Sequence, residues 1–293
     1  MSQAVRTQRP VLAIGAMLSA TAIFAAVTLL AKALGTDALG APMHALQISQ
    51  GRFVFAFVAL AGVALVVRPK ISAPNLKVHA LRVVFGWMGV SLLFAAAARI
   101  PLSDATALSF LNPVFAMMLA IPVLGETVGR WRWAAAGIAL VGSMILLRPG
   151  SGSFQPAALI AVAAALAISC EIVIIKRLSG REPPFQILLV NNALGLVLAS
   201  VAAVAVWQAP TLAQWAALAA IGGLMACAQA FYIQAMRNAD ASFSLPFSYA
   251  TLVFAALYDA WIFGVIPDRV SVLGASVILA GAGLLAWREA RRR

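Results

Sequence analysis

The chain has 293 residues, of which 63% are hydrophobic and 10% charged, with a mean hydropathy of +0.97 and a formal net charge of +12. No water-soluble domain of this size carries so much apolar side chain. The basic clusters all abut apolar runs, which assigns the positive charge to anionic lipid headgroups and excludes nucleic acid as its partner. A bilayer core of about 30 Å is crossed by a helix of ~20 mostly apolar residues, and the absence of sustained apolar–polar alternation excludes a β-barrel.

In chain order the sequence predicts spans at residues 11–31, 44–67, 76–97, 103–123, 130–147, 156–176, 185–207, 212–236, 243–263 and 270–288. The first has Arg6 and Arg9 before it but is too long for a cleaved signal, and it contains no acidic residue. That lack argues against the mechanism in which a first-helix glutamate alternately binds cation and proton. Span two carries Arg52, expected to snorkel or to partner a buried acid. Span three places Trp87 at its middle, with Gly86, Gly89 and Ser91 around it. The other six tryptophans lie near span ends, as an interfacial belt predicts; Trp87 is expected either to pack in the core or to form a stacking wall. Span four contains SFLNPVFAMM, with Ser109, Asn112 and Pro113 inside an apolar run. A proline in a helix interior removes a hydrogen bond and kinks the helix, and in lipid the freed carbonyl needs another partner. Pro246, followed by Ser248 and Tyr249, interrupts span nine at the corresponding place, and interrupted spans at matching positions in two halves point to a binding region.

Glu171 in span six and Asp259 in span nine are the intramembrane acids, candidates for proton coupling or structural pairing, Glu171 being ~7 Å along the axis from Lys176. Asn191 and Asn192 in span seven are expected to join helices, and Gln229 in span eight to face a cavity. The split between spans seven and eight rests on Trp207, Pro210 and Trp215 in WQAPTLAQW. Cys170 and Cys227 have no paired spacing, so neither a disulfide, a metal nor a cofactor is indicated. An intramembrane enzyme would need paired carboxylates or a His cluster at one depth; nine acids, mostly in loops, with His44 and His79 do not provide one.

Orientation follows from the basic residues. With the N-terminus inside, cytoplasmic segments hold Arg6, Arg9, Arg68, Lys70, Lys77, Arg82, Arg130, Arg132, Lys176, Arg177, Arg181, Arg237 and the tail Arg288, Arg291, Arg292 and Arg293. The other side holds Lys32, Arg99, Arg148 and Arg269. The segment VFAMMLAIPVLGETVGRWRWAAAGIALVGSMILL recurs 139 residues later as VFAALYDAWIFGVIPDRVSVLGASVILAGAGLLA, with Val114/Val253, Phe115/Phe254, Gly125/Gly264 and Gly142/Gly281 matched. Five spans per half invert the second half relative to the first. The expected fold is therefore an all-α integral membrane protein of ten transmembrane helices, built as two inverted five-helix repeats, residues 1–150 and 151–293, with both termini cytoplasmic. That is the architecture of secondary transporters, which bind substrate near the midplane and expose it to each side in turn.

LNPVFAMMLAIPVLGE, Leu111–Glu126, followed by a Gly-rich fifth span, resembles the EamA-type ten-helix branch of the drug/metabolite transporter superfamily. Its Pro-Val…Gly-Glu pattern falls on Pro113, Val114, Gly125 and Glu126, and the second half departs from it with Leu252 and Val265. Within the branch the chain is most similar overall to exporters of aromatic and other neutral amino acids. The resemblance implies a cavity lined by spans one, three, four, six, eight and nine. The expected function is export of small zwitterionic solutes across the bacterial inner membrane by alternating access through a mostly apolar central cavity, the alternative being a broad-specificity drug or metabolite exporter. Trp87 and Tyr249 would stack on the solute, Ser109, Asn112 and Gln229 would bond its polar end, Pro113 and Pro246 would gate, and Glu171 is the candidate for proton coupling. Small-molecule substrate and membrane lipid are the expected partners, with a monomer as the working assumption.

Overall fold

A computed structural model describes residues 10–69, 73–124, 130–147, 155–178, 182–238, 247 and 250–291. Helix α1 spans Pro10–Gly35, α2 Ala45–Val67, α3 Leu76–Ala97, α4 Leu102–Ser109, α5 Asn112–Leu124, α6 Arg130–Leu147, α7 Pro156–Leu178, α8 Pro184–Val204, α9 Leu212–Asn238, α10 Ala250–Phe263 and α11 Arg269–Arg291. Local chemistry sets many of these ends. Pro10, Pro156 and Pro184 open α1, α7 and α8, where a missing N–H is harmless. Asn75 Oδ1 accepts from the Val78 N–H to cap α3, and Arg68, at φ 47°, ends α2 just before Pro69.

Among the described residues seven stretches are long and apolar enough to cross a membrane, and Ala136–Leu146, Ala250–Phe263 and Arg269–Gly281 are shorter apolar helices. The break between α8 and α9 falls at the Trp207–Trp215 segment. Span four differs from expectation, being two helices rather than one kinked helix. It breaks over Phe110 and Leu111, whose N–H groups donate to Ala107 and Leu108 at 3.1 Å, and α5 restarts at Asn112. Pro113 therefore occupies the first turn of α5, where proline costs little. The whole of α4 from Leu102 to Leu108 is buried, and in the break itself Leu111 is buried while Ser109, Phe110 and Asn112 are half-buried.

Helix pairings repeat under exchange of the two halves. Helix α1 packs on α9 as α3 packs on α7, while α2 lies against α8 and α6 against α11 across the pseudo-two-fold relation. The last contact is close because Cβ atoms at Gly142 and Gly274 would come within 2.8 Å of the Gly274 carbonyl and the Leu146 side chain. The largest core cluster among the described residues surrounds α4 and joins Ala25 and Leu29 of α1, Ala158 and Ala161 of α7, Leu252 and Ala255 of α10 and Ile278 of α11. Such pairing fits an inverted repeat.

Candidate substrate site

At mid-depth α7 faces α3 on one side and α5 on another. A Cβ at Gly89 would meet Ile168, and one at Gly86 would meet the Glu171 carboxylate at 2.8 Å. From the same turn of α7, Ser169 Oγ donates to the Asn112 carbonyl at 2.8 Å. The α4–α5 break and the Gly86–Trp87 turn of α3 thus lie at the depth of Glu171. Arg82, one turn before Gly86, donates through Nε to Glu171 Oε1 at 3.2 Å and through Nη1 to the Ile187 carbonyl of α8 at 3.2 Å. Glycine at 86 leaves room for the carboxylate to lie against α3.

Arg52 of α2 completes the cluster. It is only 5% exposed and lies within electrostatic reach of both Glu171 and Arg82. Its guanidinium carbon stands 4.5 Å from the Phe53 ring centroid, while Nε and Nη1 are buried without a hydrogen-bond partner. Ser91 Oγ donates to Ser49 Oγ at 2.9 Å, fixing the register of α2 and α3. One turn from this pair in the same direction are Arg52 and Trp87, at one depth and near the facing surfaces of the two helices. The Trp87 Nε1 is also buried and unpartnered.

A second cluster lies toward the face opposite the N-terminal end of α1. Lys32 of α1 and Asp259 of α10, 7% and 1% exposed, form an ion pair. The other carboxylate oxygen, Asp259 Oδ2, accepts the Leu102 N–H at 2.8 Å, placing negative charge at the start of α4. Lys32 Nζ also lies 4.7 Å from the Phe263 ring centroid. Beside them Ser271 Oγ of α11 donates to Asp104 Oδ2 of α4 at 2.9 Å. Helices of the first half, α1 and α4, are thereby tied to α10 and α11 of the second.

The N-terminal face carries a third contact. Glu182, in the loop before α8, accepts the Asn75 N–H at 3.0 Å and Gln186 Nε2 at 2.8 Å, and its Oε2 lies 2.9 Å from His79 Nε2. Burial pushes the Glu182 pKa up, but the hydrogen bonds from His79, Asn75 and Gln186 outweigh it and hold the carboxyl below its ordinary value.

The residues singled out from sequence fall as follows. Trp87, Asn112 and Glu171 share the mid-depth region. Ser109 Oγ donates back to the Thr106 carbonyl at 2.7 Å within α4. Gln229 is on α9, where Gly222 packs on Phe55 and Ala56 of α2; seven residues further on, it lies two to three turns from Arg52 toward the N-terminal face, its Oε1 buried and unpartnered. Pro246, Tyr249 and the side chain of Pro113 lie outside the described residues. The charge tally needs two corrections, because Arg82 and Lys32 are buried ion-pair partners rather than loop cations. Glu171 pairs with Arg82 on another helix, and the side chain of Lys176 lies outside the described residues. Sequence reasoning missed the Lys32–Asp259 pair, whose members are 227 residues apart.

Residues 11–148 and 155–287 each match the EamA-like transporter family. The chain is 27% identical over 252 residues to an S-adenosylmethionine uptake transporter of Rickettsia bellii, covering 86% of this chain and 87% of that protein. It is 36% identical over 220 residues to a riboflavin transporter of Rhizobium johnstonii, covering 73% and 71%. Over 228 residues it is 25% identical to a pseudopaline exporter of Pseudomonas aeruginosa, covering 77% and 78%. A crystal structure 24% identical in sequence shares the fold, with a TM-score of 0.62 over 94% of this chain and 98% of that one. These likenesses support metabolite transport and lend none to the finer resemblance to aromatic amino-acid exporters. The chain belongs to the EamA-like transporter family, and it is a multi-pass protein of the bacterial inner membrane that transports small molecules.

Proposed function

We propose that the protein is a secondary transporter of small zwitterionic metabolites that carry a ring system, working by alternating access between its two five-helix halves, residues 1–150 and 151–293. The observation that carries this reading is the buried Lys32–Asp259 pair, which joins α1 and, through the Leu102 N–H, α4 to α10 of the opposite half. A buried pair of this kind is a discrete contact that holds or breaks, suited to closing one face while the other is open. The solute would sit at the depth of the α4–α5 break, with Trp87 as a stacking surface and Asn112 near its polar end. Ser109, Gln229 and Tyr249 are further candidate contacts, Pro113 and Pro246 the candidate gating positions and Glu171 the candidate for proton coupling. Export is the proposed direction, with both termini cytoplasmic.

The likeness to transporters of S-adenosylmethionine and riboflavin, both ring-bearing polar solutes, supports a Trp-lined site. The spread of cargo among these relatives favours, as a second reading, a broad metabolite range. Counterflow in proteoliposomes tests both. Labelled tryptophan or S-adenosylmethionine, both zwitterions, should show saturable exchange; competition by riboflavin, which is neutral, supports the broad range. Flux of none above protein-free liposomes overturns the proposal.

A further inference from the structure

We propose that Arg52 is an anion subsite, receiving a carboxylate or phosphate group of the transported solute at the depth of the α4–α5 break. The proposal rests on the transport reading above and names the side chain that receives the acidic group of the zwitterionic solute.

The first support is an uncompensated charge. Arg52 and Arg82 face one carboxylate, Glu171, and Arg82 already engages it through Nε at 3.2 Å while a second nitrogen is taken by the Ile187 carbonyl. Arg52 gains electrostatic attraction from Glu171 but no hydrogen bond, and two of its nitrogens are buried without partners. A buried guanidinium in a membrane-spanning helix is costly unless paired and hydrogen-bonded. The other acids whose side chains are described lie elsewhere: Asp259 pairs with Lys32, Glu182 with His79, Asp104 and Asp268 bond Ser271, and Asp37 is exposed after α1.

The kind of missing partner is the second support. Trp87 Nε1, at the same depth on α3, is likewise a buried donor with no acceptor. Neither side chain can accept a hydrogen bond in return, so a partner serving both would be acceptor-rich and negative. Asn192 Oδ1 of α8 is an unpartnered acceptor, but a neutral amide would leave the charge uncompensated. The Phe53 ring near the Arg52 guanidinium takes up cation–π contact and leaves edge donors for oxygen ligands. A guanidinium matches planar carboxylate and phosphate oxygens better than chloride.

The test follows the melting temperature of the purified protein in sodium phosphate and in sodium acetate against sodium chloride at matched ionic strength. The wild type should be stabilised saturably by one oxyanion or both. A response to phosphate alone assigns the subsite to phosphate, and one to acetate alone to carboxylate. Arg52→Gln should abolish the response or raise its midpoint roughly tenfold or more. Arg52→Lys should weaken it at least severalfold, and Arg99→Gln, at an exposed position, should leave it unchanged. Equal midpoints in wild type and Arg52→Gln, or no response of the wild type beyond chloride, overturns the proposal. If Arg52→Gln does not fold, an unchanged midpoint in Arg52→Lys overturns it. Counterflow separates the two readings: absent flux with an intact Arg52-dependent anion response sinks transport alone, and intact flux without that response sinks the subsite alone.

Discussion

Two glycines show how residue-scale geometry separates function from stability. A Cβ at Gly86 would meet the Glu171 carboxylate at 2.8 Å, the mobile end of a side chain, whereas one at Gly222 would meet Phe55 Cβ at 2.3 Å and the Ala56 backbone nitrogen at 2.7 Å. Gly86→Ala should therefore displace Glu171 from Arg82 and slow flux while the melting temperature moves by only a few degrees. Gly222→Ala should cost ~1–3 kcal/mol or more through overpacking that no rotamer relieves. Melting curves and counterflow on both variants check this, and a functional Gly222→Ala of normal stability would contradict it. Trp87→Ala should weaken apparent affinity for ring-bearing solutes about two- to tenfold. A core tryptophan would instead cost ~3–5 kcal/mol of stability with substrate ranking unchanged. Trp87 stood out in the sequence because a tryptophan at mid-span needs a partner for its N–H. Arg52 was ambiguous there, since snorkelling and burial differ only in where the neighbouring helices lie.

For the helices, the instructive case is span four. Pro113 reads as an interior kink in sequence, yet the chain ends α4 at Ser109 and opens α5 at Asn112, so proline falls in a first turn. Pro113→Ala should cost less than ~1 kcal/mol of stability, because no hydrogen bond is recovered at a first-turn position unless the break closes. If the break hinges, as proposed, alanine permits a continuous helix and flux falls; unchanged flux would assign the break to packing. The loop before α8 makes a pH prediction. The Glu182 pKa is lowered by its hydrogen bonds, so their stabilisation is fully present above the ordinary glutamate value near ~4.3 and is lost as pH falls through the lowered value. Melting temperature should drop in that acid range in the wild type and less steeply in Glu182→Gln. Equal slopes would deny the contact a role in stability.

The two halves are joined on one face by charge, and breaking that joint should be felt everywhere. Asp259→Asn strands a buried Lys32 and should destabilise by ~3–5 kcal/mol, whereas replacing both partners with apolar residues of similar size should recover much of that loss. Transport should fail in the double variant, because a permanently apolar contact no longer alternates. A double variant that transports normally would remove the pair from the mechanism. Orientation is tested by single cysteines: positions 40 and 210 should react with an impermeant thiol reagent from outside intact cells and position 73 should not.

Composition and periodicity by themselves determined that the chain is an all-helical membrane protein, roughly where its apolar helices begin and end, and that its halves repeat. These are legible because helix length against bilayer thickness, proline and glycine at ends, and self-similarity are local or one-dimensional properties. The tertiary structure decided which charges meet. Arg82 with Glu171 and Lys32 with Asp259 lie 89 and 227 residues apart, and no local pattern distinguishes a loop cation from one buried by a distant helix. Only packing decided that α4 is buried from Leu102 to Leu108 and that Arg52 is enclosed with donors unspent, because burial is a property of the neighbours a helix acquires rather than of its own residues.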